Sequence, residues 1–509
     1  MYQKTYTYGL CGLDVYPLTV EVDVQAGLPA FHIVGLPDSA IKESKERVRS
    51  TIRNCGFEWK PRRVTVNLSP AHIKKEGPSF DLAIALGILG ATQQIPTDAL
   101  DNFILLGELS LDGKLQPVRG TLPVALSAQN NHWQGIIVPR ANAEEAALNK
   151  HLPVFAADRL EDTVLILANP QARTPFLDSH VLPEKKKDDF DFSDVKGQYH
   201  VKRGLEIAAA GGHNVLLIGP PGSGKSMLAK RFSSILPDLN ERETMEVTRI
   251  HSIMGLLKKN QGLIRQRPFR SPHHTTSDVA IVGGGSHPKP GEVTLAHHGV
   301  LFMDELPEFN RNVIESLRQP LEDGQVTIAR AHQTVQFPAK FLLIGAMNPC
   351  PCGFFTDRKK PCRCHSFQIQ KYLGKISGPL LDRMDIHLDV PSLPTEDLLR
   401  KSSGEPSVAI KARTSAAWQR AQVRFKDTNL NTNAQMTHKD IERFCPLNGE
   451  SLRLLREAIR QLNLSARAYD KIIKIGRTIA DLAEGEHIQT EHIAEAIHYR
   501  SLDRDYWRV

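Results

Sequence analysis

The chain has 509 residues, 41% of them hydrophobic and 24% charged, with a formal net charge of +7. That balance predicts a globular protein of about three domains and excludes a disordered or fibrous one. No run of ~20 apolar residues occurs, and the opening MYQKTYTYGL lacks the regions of a secretory leader, so no membrane span and a cytoplasmic location are expected.

From the start to residue 175 the pattern is mixed α and β. YPLTVEVDVQ alternates as a strand does. DSAIKESKERVRSTIRNCG predicts a helix capped by Asp38 or Ser39, lined by Ile41, Val48 and Ile52 and ended at Gly56. Its basic residues, Lys42, Lys45, Arg47, Arg49 and Arg53, are interrupted by Glu43 and Glu46, which favours a solvated face over a nucleic-acid face. RRVTVNL reads as a strand and FDLAIALGIL as a buried helix. ELSLDGKLQPV reads as a hairpin turning at Asp112-Gly113. Residues 176–197, rich in Lys and Asp with no apolar period, predict a linker. A second domain follows over 198–395, opening with the helix GLEIAAAGG and the strand NVLLIG. Residues 396–509 are helical, with Leu452, Leu455, Ile459 and Leu462 on one face and Ile472, Ile475, Ile479 and Leu482 on another.

The second domain carries the chemistry. Gly219, Pro220, Pro221, Gly222, Ser223, Gly224, Lys225 and Ser226 spell GxxxxGK[ST] between an apolar strand and a helix. Backbone N–H groups in such a loop cradle phosphates, Lys225 reaches the β- and γ-phosphates of ATP, and the Ser226 hydroxyl ligates Mg²⁺. GVLFMDE ends a buried strand with Asp304, suited to the Mg²⁺ shell, and Glu305, suited to polarising the attacking water. The strand KFLLIGAMN ends in Asn348, whose amide either orients water and the γ-phosphate or simply closes a turn. Arg383, in SGPLLDRMDIH, is a solvated charge or an arginine finger lent to a neighbouring subunit. Ser465 reads as an N-cap that places Arg467 in a helix's first turn, where the dipole suits phosphate.

Four of the seven cysteines crowd into one short loop as Cys350-x-Cys352 and Cys362-x-Cys364, with nine residues between the pairs. In a reducing compartment such clusters hold metals more often than disulfides, and two close thiolate pairs can converge on one structural Zn²⁺, the alternatives being a reduced loop or a disulfide. His365 is a spare candidate ligand.

The ordered series GPPGSGKS, GVLFMDE, GAMNPCPCG and ISGPLLDRMDIH resembles the magnesium-chelatase-like AAA+ ATPases, and within them the bacterial competence-protein group, over almost the whole chain. That resemblance implies an α/β multidomain protein: a Lon-protease-like α+β domain over 1–175, an AAA+ core with a parallel sheet, and a helical lid over 396–509. It implies that Asn348 is sensor 1, Arg383 the arginine finger and Arg467 the sensor-2 arginine. It further implies a ring, expected to be a hexamer, working as a motor for DNA branch migration in natural transformation, on single-stranded, double-stranded or branched DNA without sequence preference. VGGGSHPKPGEVTLAH is similar to a helix-2 insert, with Lys289 near its middle. DGQVTIARAHQTVQFPAKF is similar to a pre-sensor-1 hairpin, with Arg330 and His332 near the tip. These three residues are the candidate DNA contacts. KKEGPSFDLAIA is similar to the Lon segment with the nucleophile, at Ser79, but Leu122 stands where Lon has its lysine, so peptide hydrolysis is not expected. The competing reading is a chelatase-type subunit that couples ATP hydrolysis to metal insertion with partner subunits.

Overall fold

The computed structural model describes residues 1–128, 133–176, 190–257, 262–285, 288–330, 333–355, 357, 360–393, 404–462 and 464–500. The chain divides into two compact units, Met1–Lys185 with Glu241–Ile264, and Lys186–Asn240 with Arg265–Val509.

The first unit is built on a seven-stranded mixed sheet. Its strands are Tyr2–Cys11 (β1), Asp14–Gln25 (β2), Ala30–Val34 (β3), Arg63–Ser69 (β4), Phe103–Leu105 (β5), Gly135–Pro139 (β6) and Val154–Ala157 (β7), in the order β3-β4-β2-β1-β5-β6-β7. The β1–β2 and β2–β4 pairs are antiparallel, the rest parallel. β1 escapes a hydrophobic-pattern reading because its inward residues include Thr5 and Thr7, both buried. The Thr5 hydroxyl is satisfied by donating to the Ala83 carbonyl at 2.9 Å.

The helix Ser39–Asn54 begins at Asp38, whose carboxylate accepts the Ile41 N–H at 2.8 Å, and it buries Ile41, Val48 and Ile52 as its spacing predicts. One basic residue departs from the expected solvated face: Arg47 turns inward to Asp81, Nε to Oδ2 at 2.8 Å. Asp81 opens the helix Asp81–Ala91, which is buried along its whole length. The Asp112-Gly113 turn joins the expected hairpin, Glu108–Leu109 against Leu115–Gln116. The helix Glu241–Ile253 lies beyond the phosphate loop in sequence yet belongs to this unit. There the Gly120 N–H donates to the Ser252 carbonyl at 3.3 Å, and the Ser252 hydroxyl donates to the Glu145 carboxylate.

The second unit holds a five-stranded sheet, entirely parallel: Val215–Ile218 (β8), Phe269–Arg270 (β9), Val300–Met303 (β10), Leu342–Met347 (β11) and Ile386–Asp389 (β12). The order is β9-β10-β11-β8-β12, so its first strand sits between its fourth and fifth. The loop leaving β8 therefore opens where the strand order reverses, which is where such sheets bind ligands. Every residue of β8 and β10 is buried, the near-continuous apolar signature of a parallel sheet covered on both faces.

Of the stretch read as a linker, residues 177–189 lie outside the described residues. Phe192 and Val195 are fully buried in the second unit, where the Phe192 N–H donates to the Ser407 hydroxyl at 2.8 Å. The helix expected at GLEIAAAGG starts earlier, at Tyr199. The C-terminal part is helical as expected, with helices Ser407–Arg424, His438–Phe444, Gly449–Leu462, Ala466–Leu482 and Thr490–His498. Leu455, Ile472, Ile475 and Ile479 join one apolar cluster with Val215 and Leu217 of β8, while Leu452, Ile459 and Leu462 are half-buried. Among the described residues no helix is long and apolar enough to cross a membrane.

Candidate nucleotide site and cysteine cluster

Three strand ends converge at the carboxyl edge of the parallel sheet. The phosphate loop leaves β8, and Gly224 (φ 92°) turns it into the helix Lys225–Phe232. That left-handed backbone is one a side chain would strain. Lys225 is buried, and its Nζ donates to the carbonyls of Gly219 and Pro220 at 2.7 and 2.9 Å and to Asn348 Oδ1, at the end of β11, at 3.1 Å. Burial lowers its pKa to about 8, against the opposing pull of Asp304 and Glu305. Ser226 Oγ donates to Asp304 Oδ2 at 2.6 Å, beyond the end of β10. A hydroxyl and a carboxylate so close form a hard-oxygen pair of the kind Mg²⁺ takes.

Glu305 sits next in left-handed backbone, φ 54°, with its side chain largely exposed. Its Oε2 lies 3.5 Å from His274 Nδ1, in the segment after β9. Sequence reasoning missed His274, because a histidine pair in a polar loop carries no local signal of the strand end it will adjoin. It also missed Gln198, whose amide donates to the phosphate-loop carbonyl of Ser223 at 2.9 Å.

The two arginines are held by acids of their own chain. Arg383 pairs with Glu322 and donates to the Pro379 carbonyl at 2.8 Å. Arg467 pairs with Asp382 at 3.2 Å. Ser465 caps the helix Ala466–Leu482 as expected, accepting the Ala468 N–H at 3.2 Å. Lys289 is exposed on a two-residue strand that pairs with Gly283–Gly284. Arg330 ends the strand Gln325–Arg330, which pairs antiparallel with Gln333–Pro338. His332 lies outside the described residues.

The thiols of Cys350, Cys352, Cys362 and Cys364 all lie within 4.8 Å of one another. The Cys350–Cys352, Cys350–Cys362 and Cys352–Cys362 sulfur distances are 3.4, 3.7 and 3.6 Å. A tetrahedral zinc ion with bonds of ~2.3 Å has sulfur–sulfur edges of about 3.8 Å, so this donor set fits one ion. The N–H groups of Phe355 and Cys364 point at the sulfurs of Cys350 and Cys362, at 3.3 and 3.4 Å, as suits thiolate acceptors. His365 stands outside this cluster: it caps the helix Ser366–Leu373, and its N–H donates to Gln368 Oε1 at 3.0 Å. In the first unit Ser79 is half-buried, and Leu122 is fully buried.

A parallel sheet with a phosphate loop at its switch point and an acid pair on a nearby strand defines a P-loop ATPase fold. Three family profiles match: magnesium chelatase subunit ChlI over residues 191–398, subunit ChlI of Mg-chelatase over 20–142, and the ChlI C-terminal part over 404–500. The chain is 42% identical to YifB of Escherichia coli K12 over 509 residues, covering 98% of this chain and 97% of that protein. It is 42% identical to the competence protein ComM of Haemophilus influenzae over 508 residues, with coverage of 98% and 97%. Over 135 residues, 26% of this chain and 24% of the relative, it is 30% identical to Lon protease 2 of Bacillus subtilis. The chain belongs to the magnesium-chelatase-like AAA+ ATPases, in their ComM/YifB group.

Proposed function

We propose that this protein is an ATP-driven, ring-forming DNA motor that promotes branch migration of incoming DNA in natural transformation. The observation that carries the ATPase part is the meeting of Lys225, Ser226, Asp304 and Asn348 at one sheet edge. The relative named as a competence protein supports the DNA part. In this reading Lys225 grips the β- and γ-phosphates of ATP, Ser226 and Asp304 hold Mg²⁺, and Glu305 polarises the attacking water. Asn348 orients that water, and Arg467 reports on phosphate from the lid. Arg383 leaves Glu322 to complete the nucleotide site of the next subunit in a hexamer. Cys350, Cys352, Cys362 and Cys364 hold a structural Zn²⁺; four thiolates leave it no open position for catalysis.

Lys289, Arg330 and His332 are the proposed phosphate contacts of two pore hairpins. Such contacts are indifferent to sequence and weaken with salt. The Lon-like domain serves as a cytoplasmic motor's collar and cleaves no peptide bond.

The test is ATP hydrolysis measured with and without forked, duplex and single-stranded DNA, alongside a branch-migration assay. Stimulation by DNA and movement of the fork are expected. Glu305→Gln is expected to bind ATP and stall. Mixing Arg383→Ala with Lys225→Ala protein is expected to restore some hydrolysis, because a mixed ring contains interfaces with both residues intact. If no DNA form changes the rate or is moved, the motor reading fails and the chelatase-type reading replaces it.

A further inference from the structure

The cysteine loop and the phosphate loop touch. Met347 closes β11, and its carbonyl accepts the Gly219 N–H at 3.2 Å, so the end of this strand already steadies the start of the phosphate loop. Asn348, the next residue, accepts from Lys225. Two residues further comes Cys350, fully buried, then Cys352 and the turn at Gly353. Gly353 has φ +83°, and a Cβ there would stand 2.4 Å from Pro221 Cδ in the phosphate loop. Only a residue without a side chain permits this approach. The two thiol pairs thus begin and end a loop whose turn rests on the structure that would hold ATP. All seven cysteines are free thiols, so no disulfide holds that loop closed. What does close it is the convergence of four sulfurs at the spacing of a single tetrahedral ion.

We infer that a zinc ion on Cys350, Cys352, Cys362 and Cys364 is a clasp on the phosphate loop, so that zinc and ATP bind cooperatively. This rests on the reading of the Lys225 loop as the ATP site. With zinc bound, the loop that carries Gly353 is fixed and Pro221 is backed by a rigid surface. With zinc removed, the two thiol pairs separate freely, and ATP binding itself has to order both loops, which weakens it. Coupling between sites is reciprocal: whatever factor zinc gives ATP, ATP gives zinc.

The experiment uses the full-length chain. Metal content is read by elemental analysis, nucleotide affinity with a fluorescent ATP analogue, and zinc release with a chromogenic chelator, with and without a non-hydrolysable ATP analogue and Mg²⁺. About one zinc per chain is expected. Chelation is expected to weaken nucleotide binding roughly 5- to 50-fold, and nucleotide to strengthen zinc retention by the same factor. Cys362→Ser is expected to lose zinc and to weaken nucleotide binding as chelation does; where it does not fold, Gly353→Ala, which keeps all four ligands and is expected to retain zinc and lose nucleotide affinity, holds the test open. Unchanged nucleotide affinity in Gly353→Ala, equal affinity with and without zinc, or purified protein free of zinc overturns the clasp. Lys225→Ala separates this from the site reading: it is expected to keep its zinc and lose nucleotide, and if it still binds nucleotide the site reading itself falls.

Discussion

In the second unit, Lys225, Ser226, Asp304 and Asn348 arrive from three strand ends and point their polar atoms at one another across an open edge. In the first unit, the polar residues beside the Lon-like serine are turned to a different use. Asp81, two residues after Ser79, is wholly buried and takes bonds from Ser44, from Arg47 and from the Leu109 N–H. Leu122, which the resemblance to Lon places at the position of the protease's lysine, is packed away from solvent. Both units have a sheet, a buried helix and a charged cluster, yet only one leaves its cluster open to exchange a protein partner for a ligand. A charged group bonded on every side steadies a fold; one whose bonds are to loop carbonyls and a single amide can trade them for phosphate.

The largest test of that contrast is Lys225→Ala. ATP hydrolysis measured by phosphate release is expected to fall by roughly a hundred-fold or more, with the melting temperature little changed. Asp81→Ala reverses the pattern. It removes the carboxylate that pairs with Arg47 and that accepts from the Ser44 hydroxyl and the buried Leu109 N–H, so chemical denaturation is expected to show a loss of about 3 kcal/mol in the first unit. A comparable loss from Lys225→Ala would erase the distinction between the two clusters.

A smaller effect follows from the ammonium of Lys225, lowered to about 8 by burial. Phosphate binding needs the charged form. In the free protein that form is full well below pH 8 and lost as pH rises through it, so ATP affinity is expected to be flat from pH 6 to 7 and to decline above 8. At pH 9 about a tenth of the free protein carries the charge, and a fluorescence titration should show affinity weakened by up to about ten-fold. A profile flat through pH 9 would mean either that this ammonium stays charged in the free protein or that it does not hold phosphate, and Lys225→Ala distinguishes the two. The smallest effect belongs to Ser79→Ala. It is expected to leave ATP hydrolysis and DNA response unchanged, and labelling of Ser79 by a serine-directed covalent inhibitor would show that the first unit keeps an active nucleophile.

The parts readable from sequence were those whose signal is local. The phosphate loop, the acid pair after GVLFM, the Asp38 and Ser465 caps and the Asp112-Gly113 turn each depend on a few adjacent residues. Asn348 was readable as a strand end, although its bond to Lys225 joins residues far apart in the chain. What stayed hidden depends on tertiary choice. Strand β1 buries threonines that count as polar in any pattern. Arg47 looks like its basic neighbours until Asp81 is placed beside it. His274 meets Glu305 only because β9 and β10 are neighbours in the sheet. His365 reads as a ligand by adjacency, yet a helix start claims its backbone.

The placement of Glu241–Ile264 bears on how this gene can be cut. The chain enters the second unit after residue 185, returns to the first at 241 and leaves it again at 265. A fragment ending near the linker would lack a helix of its own unit, leaving Glu145 without the Ser252 hydroxyl and the Gly120 N–H without its acceptor. The complementary fragment would carry that same helix as an orphan, with Val247 and Ile250 stripped of their burial. No single break separates the Lon-like half from the ATPase half, so the two travel as one hereditary piece, and exchanging either for a relative's version takes three junctions instead of one.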